Sequence, residues 1–392
     1  MQQIHVDLEL LSPTCIAQRP TAPGQPTETL TYLTGTVLRG GLATHWLRGR
    51  RYADLSDVEQ QQFRRFFLSD QIVFQNGWPH DARARTWVVP RTAWTAKDDS
   101  GWKGDRKSGV RDVLVALLCG DDTSSGAWEG WDRLGQDFAF AQHNEWRKVE
   151  TRRRLITRTA LNRNDPELAP ATRGVVAEGQ LYSFEALETG QHYRAVISGP
   201  EVLLEELHQA LQGSTLELTI GQGRSRGMGQ VRAKLITADE REDRDPAQIL
   251  ARVEEFSRRA GADAGTIYLP ITLESDAILR DHYLLPCSSA DPAETLWRYL
   301  PPTDAIRTMR LHTAVQSTRW IGGWDELRRL PRPAQLAVQM GSVWVFAVPA
   351  AAAAAAIAWW LDAERWGIGE RRSEGFGRVR LLHPLHEKDE VR

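Results

Sequence analysis

The residues best suited to chemistry in this chain are arginines set between glycines, and the arrangement occurs twice. The first copy is Gly221-Gln222-Gly223-Arg224-Ser225-Arg226-Gly227-Met228-Gly229; the second is Gly367-Ile368-Gly369-Glu370-Arg371-Arg372-Ser373-Glu374-Gly375-Phe376-Gly377. A Gly-x-Gly step provides positive φ and leaves backbone N–H groups bare, while a neighbouring guanidinium adds fixed positive charge. That combination suits a phosphate backbone. Each copy runs into a strand-like tail, Gln230 to Leu235 and Arg378 to Leu382, so the unit is a duplicated supersecondary element. Two glycine-rich hairpins with exposed arginines are the plainer alternative, but a duplication that keeps arginines in both copies argues against a mere turn. The spacing excludes a P-loop, which needs Gly-Lys-Ser/Thr opening a helix. It also excludes a dinucleotide fingerprint, which needs Gly-x-Gly-x-x-Gly between a strand and a helix.

A second concentration of chemistry lies between Asp70 and Pro170. Trp78, Trp87, Trp94, Trp102, Trp128, Trp131 and Trp146 are interleaved there with Arg147, Lys148, Arg152, Arg153, Arg154 and Arg158. Single-strand nucleic-acid surfaces have this composition, each stacked base contributing roughly 1–3 kcal/mol. Most of these tryptophans are expected to pack, and only a few to touch RNA. Histidines at 5, 45, 143 and 192 are the candidates for a general base, although a lone histidine is more often structural. Cys15, Cys119 and Cys287 are too few and too far apart for a disulfide framework or a metal site. No cofactor or metal is expected, and a reducing cytoplasm fits.

The chain has 392 residues and a formal net charge of −2, which excludes a uniformly basic nucleic-acid binder and leaves any RNA affinity to local basic stretches. Its length suits two domains, each with its own core. The N-terminus alternates apolar and charged residues and lacks a signal-peptide core. The uncharged run Val343 to Leu361 is broken by Pro349, and reads as a strand followed by an alanine-rich helix rather than as a membrane span.

These elements must position the arginines. Residues 4–11 alternate as a strand, and Ser12 to Glu28 is a loop. Thr34 or Thr36 can cap a helix that turns Val37, Leu38, Leu42 and Trp46 inward and presents Arg39 in its first turn. Residues 51–68 form an amphipathic segment, and the regular pattern then dissolves. Strands at 180–186 and 192–198, a helix at 201–211 carrying Val202, Leu203, Leu204, Leu207 and Leu211, and a strand from Thr215 to Ile220 lead into the first glycine element. Strand, helix, two strands, helix, strand is the ferredoxin-like order. Thr266 to Glu274, Met309 to Thr318, Val338 to Val348 and Ala350 to Trp366 repeat it, with the first helix interrupted by prolines. An α+β chain of two ferredoxin-like (RRM-like) domains is therefore expected: 1–238 with a large insertion at about 70–156, a charged exposed connector at 239–264, and 265–392.

On Gly35-Thr-Val-Leu-Arg-Gly-Gly41, Arg158-Thr-Ala-Leu-Asn-Arg163, Gly179-Gln-Leu-Tyr-Ser-Phe-Glu185 and both glycine elements, the chain resembles the RAMP superfamily of CRISPR effector subunits. Two fused units look most like the subunit that caps the 5′ handle of the guide RNA in type III-D complexes. The resemblance implies a crRNA path along Gly35, Arg39, Gly40, His45, Arg158, Arg163, Gly221, Gly223, Arg224, Arg226, Gly227, Gly229, Gly369, Arg371, Arg372, Gly375 and Gly377. It implies partners among the other effector subunits, including RAMP backbone subunits and the large subunit, target RNA met only indirectly, and no membrane. Backbone RAMP subunits cut target RNA with an aspartate in the loop after the first strand, where this chain carries only Glu28. That departure favours binding over cutting. An endoribonuclease that processes guide RNA or cleaves target RNA, and a scaffold that binds no RNA, are the alternatives.

Overall fold

The computed structural model describes residues 2–17, 27–98, 101–102, 109–121, 123, 128–142, 145–161, 176–238, 244–291, 293–325 and 330–387. In the first half, β1 (Gln2–Leu10) turns Ile4, Val6, Leu8 and Leu10 inward, as its period-two spacing requires. Helix α1 (Gly35–Leu47) is capped by Thr34, whose hydroxyl accepts the Val37 N–H, and it buries Leu38, Leu42 and Trp46 in the first core. There follow β2 (Val73–Phe74), the strands β3 (Arg153–Leu161) and β4 (Val176–Leu187), β5 (His192–Gly199), α2 (Glu201–Leu211), β6 (Thr215–Thr219) and β7 (Gln230–Ala238). The sheet runs β6-β7-β1-β5-β2 with every pair antiparallel. The first glycine element is the turn between β6 and β7.

The second half comprises α3 (Pro246–Arg259), β8 (Thr266–Leu273), β9 (Arg310–Val315), β10 (Val343–Pro349), α4 (Ala353–Trp366) and β11 (Val379–Leu381), in the sheet order β9-β10-β8-β11. Its core is separate and is built on Leu269, Ile271, Trp344, Phe346, Ile357 and Trp360. The second glycine element joins α4 to β11. Among the described residues no α-helix lies between β8 and β9. Helix α3 packs against β8 and α4 instead, burying Ile249, Val253 and Phe256.

The insertion is folded. Arg85–Val88, Phe138–Gln142 and Glu145–Lys148 make one small sheet, and Ala93–Ala96, Val110–Asp112 and Trp131–Arg133 make another. They share a core of Trp87, Val89, Val110, Leu134 and Trp146 that takes in Leu385 from near the C-terminus. His386 links this unit to the second sheet, its Nδ1 2.6 Å from Asp112 Oδ2 and its Nε2 2.9 Å from Thr272 Oγ1.

Several expectations need correction. The segment expected at 180–186 is a strand, but it pairs with β3 in a separate two-stranded ribbon, and the sheet edge goes to the short β2. Adjacency in sequence suggested a partner that the fold does not use. The strand expected over Val338–Val348 is interrupted at Gly341, which has φ +83° and where a Cβ would lie 2.7 Å from the Val89 carbonyl of the insertion. Residues 246–259 are not a solvated spacer, because one stripe of α3 is core. Val202, expected inside, is 67% exposed.

Candidate nucleic-acid interface

The two glycine elements share one backbone at a constant offset of 148 residues, 221 matching 369 and 229 matching 377. Ile220 N–H donates to Gly229 O at 2.8 Å and Ile368 N–H to Gly377 O at 2.9 Å; Arg226 N–H donates to Gly223 O at 2.8 Å and Glu374 N–H to Arg371 O at 2.9 Å. The seats match as well, for Gln222 N–H donates to Cys15 O and Glu370 N–H to Ile278 O, both at 2.9 Å. Gly229 and Gly377 have φ of +76° and +73°, and a Cβ there would meet the Ile220 or Ile368 carbonyl at 1.8 or 1.7 Å. Only glycine fits. In this register Arg372 matches Arg224, Arg371 takes the place of Gly223, and Glu374 takes the place of Arg226. The arginines are thus not all duplicated as the sequence pattern suggested.

From the common backbone the two loops diverge. In the second, Ser373 and Glu374 are 5% and 7% exposed and the loop is pressed against the first half. A Cβ on Gly375 would lie 2.7 Å from Phe74 O, and one on Gly35 would lie 2.6 Å from Glu374 O. The Glu374 carboxylate accepts from Thr36 Oγ1 at 2.9 Å and pairs with Arg39 at 3.0 Å, Arg332 at 3.0 Å and Arg371 at 2.6 Å. Burial would raise this carboxyl, but the hydrogen bond from Arg371 and the charges of Arg39 and Arg332 outweigh it and hold the pKa at about 2. The Gly35 N–H donates to Asn76 Oδ1 at 2.9 Å. The start of α1 is therefore occupied from within: the anion beside it is Glu374, and Arg39 and Arg371 are ion-paired rather than presented to solvent.

The first loop is open. Arg224, Ser225, Arg226 and Gly227 are exposed, while Met228 is buried in a small cluster with Cys15 and Ala186, against half-buried Ile156 and Phe184. That cluster seats the loop on the ribbon, and Gly229 N–H donates to Pro13 O at 2.9 Å. Burial pushes the Cys15 thiol up to about 11, with the Glu185 charge adding to it, so Cys15 is a packing residue. Between ribbon and loop runs an open groove lined by Arg154, Ile156, Arg158, Arg226, Gly227 and Met228. The Arg158 guanidinium lies 5.8 Å over the Phe184 ring. Arg154 was read from sequence as part of the basic cluster but not placed on the RNA path, although Arg154 and Arg158 are spaced to share a strand face.

The remaining candidates fall elsewhere. Arg163 lies outside the described residues. His45 sits at the opposite end of α1 from Gly35, with Nε2 3.4 Å from Leu211 O. Gly40 is exposed on α1, with nothing near where a Cβ would be. Glu28 is exposed. The loop after β8 carries two acids not weighed from sequence, Glu274 and Asp276; both are buried and paired, with Arg378 at 2.7 Å and Arg319 at 2.8 Å. Among the described residues no His, Cys, Asp and Glu cluster could hold a metal. Trp102 stacks on Trp146 at 5.5 Å and Trp87 packs edge-on to His383 at 5.2 Å, so these indoles build the insertion. The outer face of the first sheet is laced by Asp7–Arg194 and Glu9–Arg232 ion pairs.

The chain matches the RAMP superfamily over residues 7–232 and the family described as CRISPR-associated protein (Cas_Cmr3) over residues 163–383. No curated protein matches it in sequence. Among solved structures it is similar to a chain of the cryo-EM structure of the Type III-B Cmr-beta bound to cognate target RNA, at 12% identity, covering 87% of this chain and 86% of that one, TM-score 0.43. It is also similar to the crystal structure of oligomeric Cmr4 from Pyrococcus furiosus, at 12% identity, covering 61% of this chain and 100% of that one, TM-score 0.27. No helix among the described residues is long and apolar enough to cross a membrane.

Proposed function

The chain belongs to the RAMP superfamily of CRISPR-associated proteins, and on that footing we propose that it is a type III effector-complex subunit that holds RNA by its backbone. The RNA is the guide, gripped near its 5′ handle, and the other effector subunits are its neighbours in the cell interior. We read both halves as ferredoxin-like, a reading supported by the interior place of β1 and β8 and by a helix that leads into β6 in the first sheet and towards β11 in the second.

The observation that carries the RNA reading is the groove in which Arg154 and Arg158 of the ribbon meet Arg226 of the first glycine loop. Guanidiniums there flank backbone held in the left-handed region by Gly223 and Gly227, the kind of surface that takes phosphates without reading bases. The second loop, shut against α1, holds the halves together. We read the chain as a binder rather than a nuclease because the acids after β8, Glu274 and Asp276, are buried and paired with Arg378 and Arg319, so neither is placed to activate an attacking oxygen. The test is filter binding of single-stranded RNA at two salt concentrations with Arg154, Arg158 and Arg226 changed to alanine. A lower affinity with a shallower salt slope supports the groove. An unchanged slope places the RNA elsewhere.

A further inference from the structure

Outside the groove, the most conspicuous unexplained surface is a hairpin of the second half. Leu279–Arg280 pairs with Pro286–Cys287, and the tip between them exposes Tyr283, Leu284 and Leu285 by 72%, 54% and 59%. These are the only consecutive exposed large apolar residues among the described residues. The hairpin grows from Ile278, whose carbonyl seats the second glycine loop, so its base is fixed to the core.

The tip is rigid. Asp281 Oδ1 accepts the N–H groups of Tyr283 and Leu285, each at 2.9 Å, and Leu284 N–H donates to Asp281 O at 3.0 Å. Arg280 donates to Leu284 O at 2.8 Å and Arg298 to Asp281 O at 3.3 Å. Leu284 has φ +68°, a conformation that costs a side-chain-bearing residue about 1–2 kcal/mol. A leucine kept in a glycine conformation, with its side chain in water, points to a use for that side chain.

We propose that residues 281–285 are a preformed plug for an apolar pocket with an acidic rim on a neighbouring protein subunit. The charge pattern selects the partner. Arg280 and Arg298 both reach backbone carbonyls of the tip, and the Asp281 carboxylate turns one oxygen to two amides, so the two guanidiniums leave the tip itself with a net positive charge. The rings of His282 and Tyr283 pack on each other at 3.8 Å and Leu284 and Leu285 beside them are aliphatic, so the tip is an apolar knob rather than a row of open stacking faces, which favours protein over RNA. Three side chains bury far less than the roughly 1,200 Å² of a stable interface, so the plug is one part of a larger assembly surface and does not by itself hold a second copy. The inference rests on reading the chain as a subunit of an effector complex.

The test replaces Tyr283 and Leu285 together with aspartate and, separately, puts a photo-crosslinking residue at Leu284 in the assembled complex. The double variant is expected to keep the RNA affinity and salt slope of the isolated chain while its affinity for the complex falls tenfold or more, and the crosslink is expected to join one protein subunit at high yield. A crosslink to RNA, a crosslink to a second copy, or unchanged assembly of the double variant each overturns the plug but leaves the RNA groove standing. A wild-type chain that assembles with no other subunit overturns both readings.

Discussion

Glu374 occupies, in the second glycine loop, the position that Arg226 occupies in the first, one residue before the matching glycines Gly375 and Gly227. A single reversal of charge accompanies the change of role. The loop with arginine faces the open groove, and the loop with glutamate draws Arg39, Arg332 and Arg371 onto itself and closes the seam between the halves.

The groove arginines and the seam arginines should therefore fail differently. Arg154→Ala, Arg158→Ala and Arg226→Ala are each expected to weaken binding about equally across RNA sequences and to lower the salt slope by about one for every phosphate left unneutralised, with melting temperature little changed. Arg39→Ala and Arg371→Ala are expected to lower the melting temperature instead. Calorimetry beside the binding assay separates the two classes.

Glu374→Gln leaves three guanidiniums around a neutral amide and should destabilise the protein by about 3–5 kcal/mol. The carboxyl stands at about 2 when folded against an ordinary 4.5. Its contribution, about 3 kcal/mol, is then complete above pH 4.5 and lost as the pH falls towards 2. Acid unfolding followed by circular dichroism should show a shallower loss of stability across that window in the variant than in the wild type. Parallel curves would mean that Glu374 is not the coupled group.

Glycines in the loops are not equivalent. Gly229→Ala and Gly377→Ala drive a methyl into a carbonyl and are expected to abolish folding or to cost several kcal/mol, whereas Gly227→Ala meets no atom and should cost about 1 kcal/mol for its positive φ alone. Gly40→Ala, exposed and inside α1, should stabilise by up to about 1 kcal/mol. Urea titrations of the four variants would show this order or break it.

Target cutting is expected to be indifferent to Glu28. In a reconstituted complex Glu28→Ala should leave every cut on a labelled target in place. Asp276→Asn should act only through stability, because Arg319 would lose its buried partner. Loss of one cut with guide binding intact would make the chain a nuclease.

Much of this was legible in the sequence, for identifiable reasons. Period-two burial in β1, the cap at Thr34 and the break at Pro349 are local, and local rules found them. The duplication was visible because glycines with positive φ cannot be replaced without strain. What the sequence hid was which copy faces outward, since Arg226 and Glu374 differ in meaning only once Arg39 and Arg332, far away in the chain, are brought to one of them. The ribbon was hidden because β4 reads as well for a sheet strand as for a hairpin arm. A polar helix was legible in the connector, but the burial of α3 was hidden because its polar majority masks the stripe of Ile249, Val253 and Phe256.

The strapping of the insertion to the far end of the chain bears on how the protein is made. The small core of Trp87, Val110 and Trp146 closes on Leu385 and His383, and Asp112 finds His386, so these partners become available only after residues 147–382 have been made. A ribosome adding about 5–20 residues per second leaves the insertion waiting for many seconds with Trp87 and Trp146 uncovered. Pairing across such separations is slow in its own right. Truncation ahead of His383 should therefore yield an aggregating fragment rather than a smaller working unit.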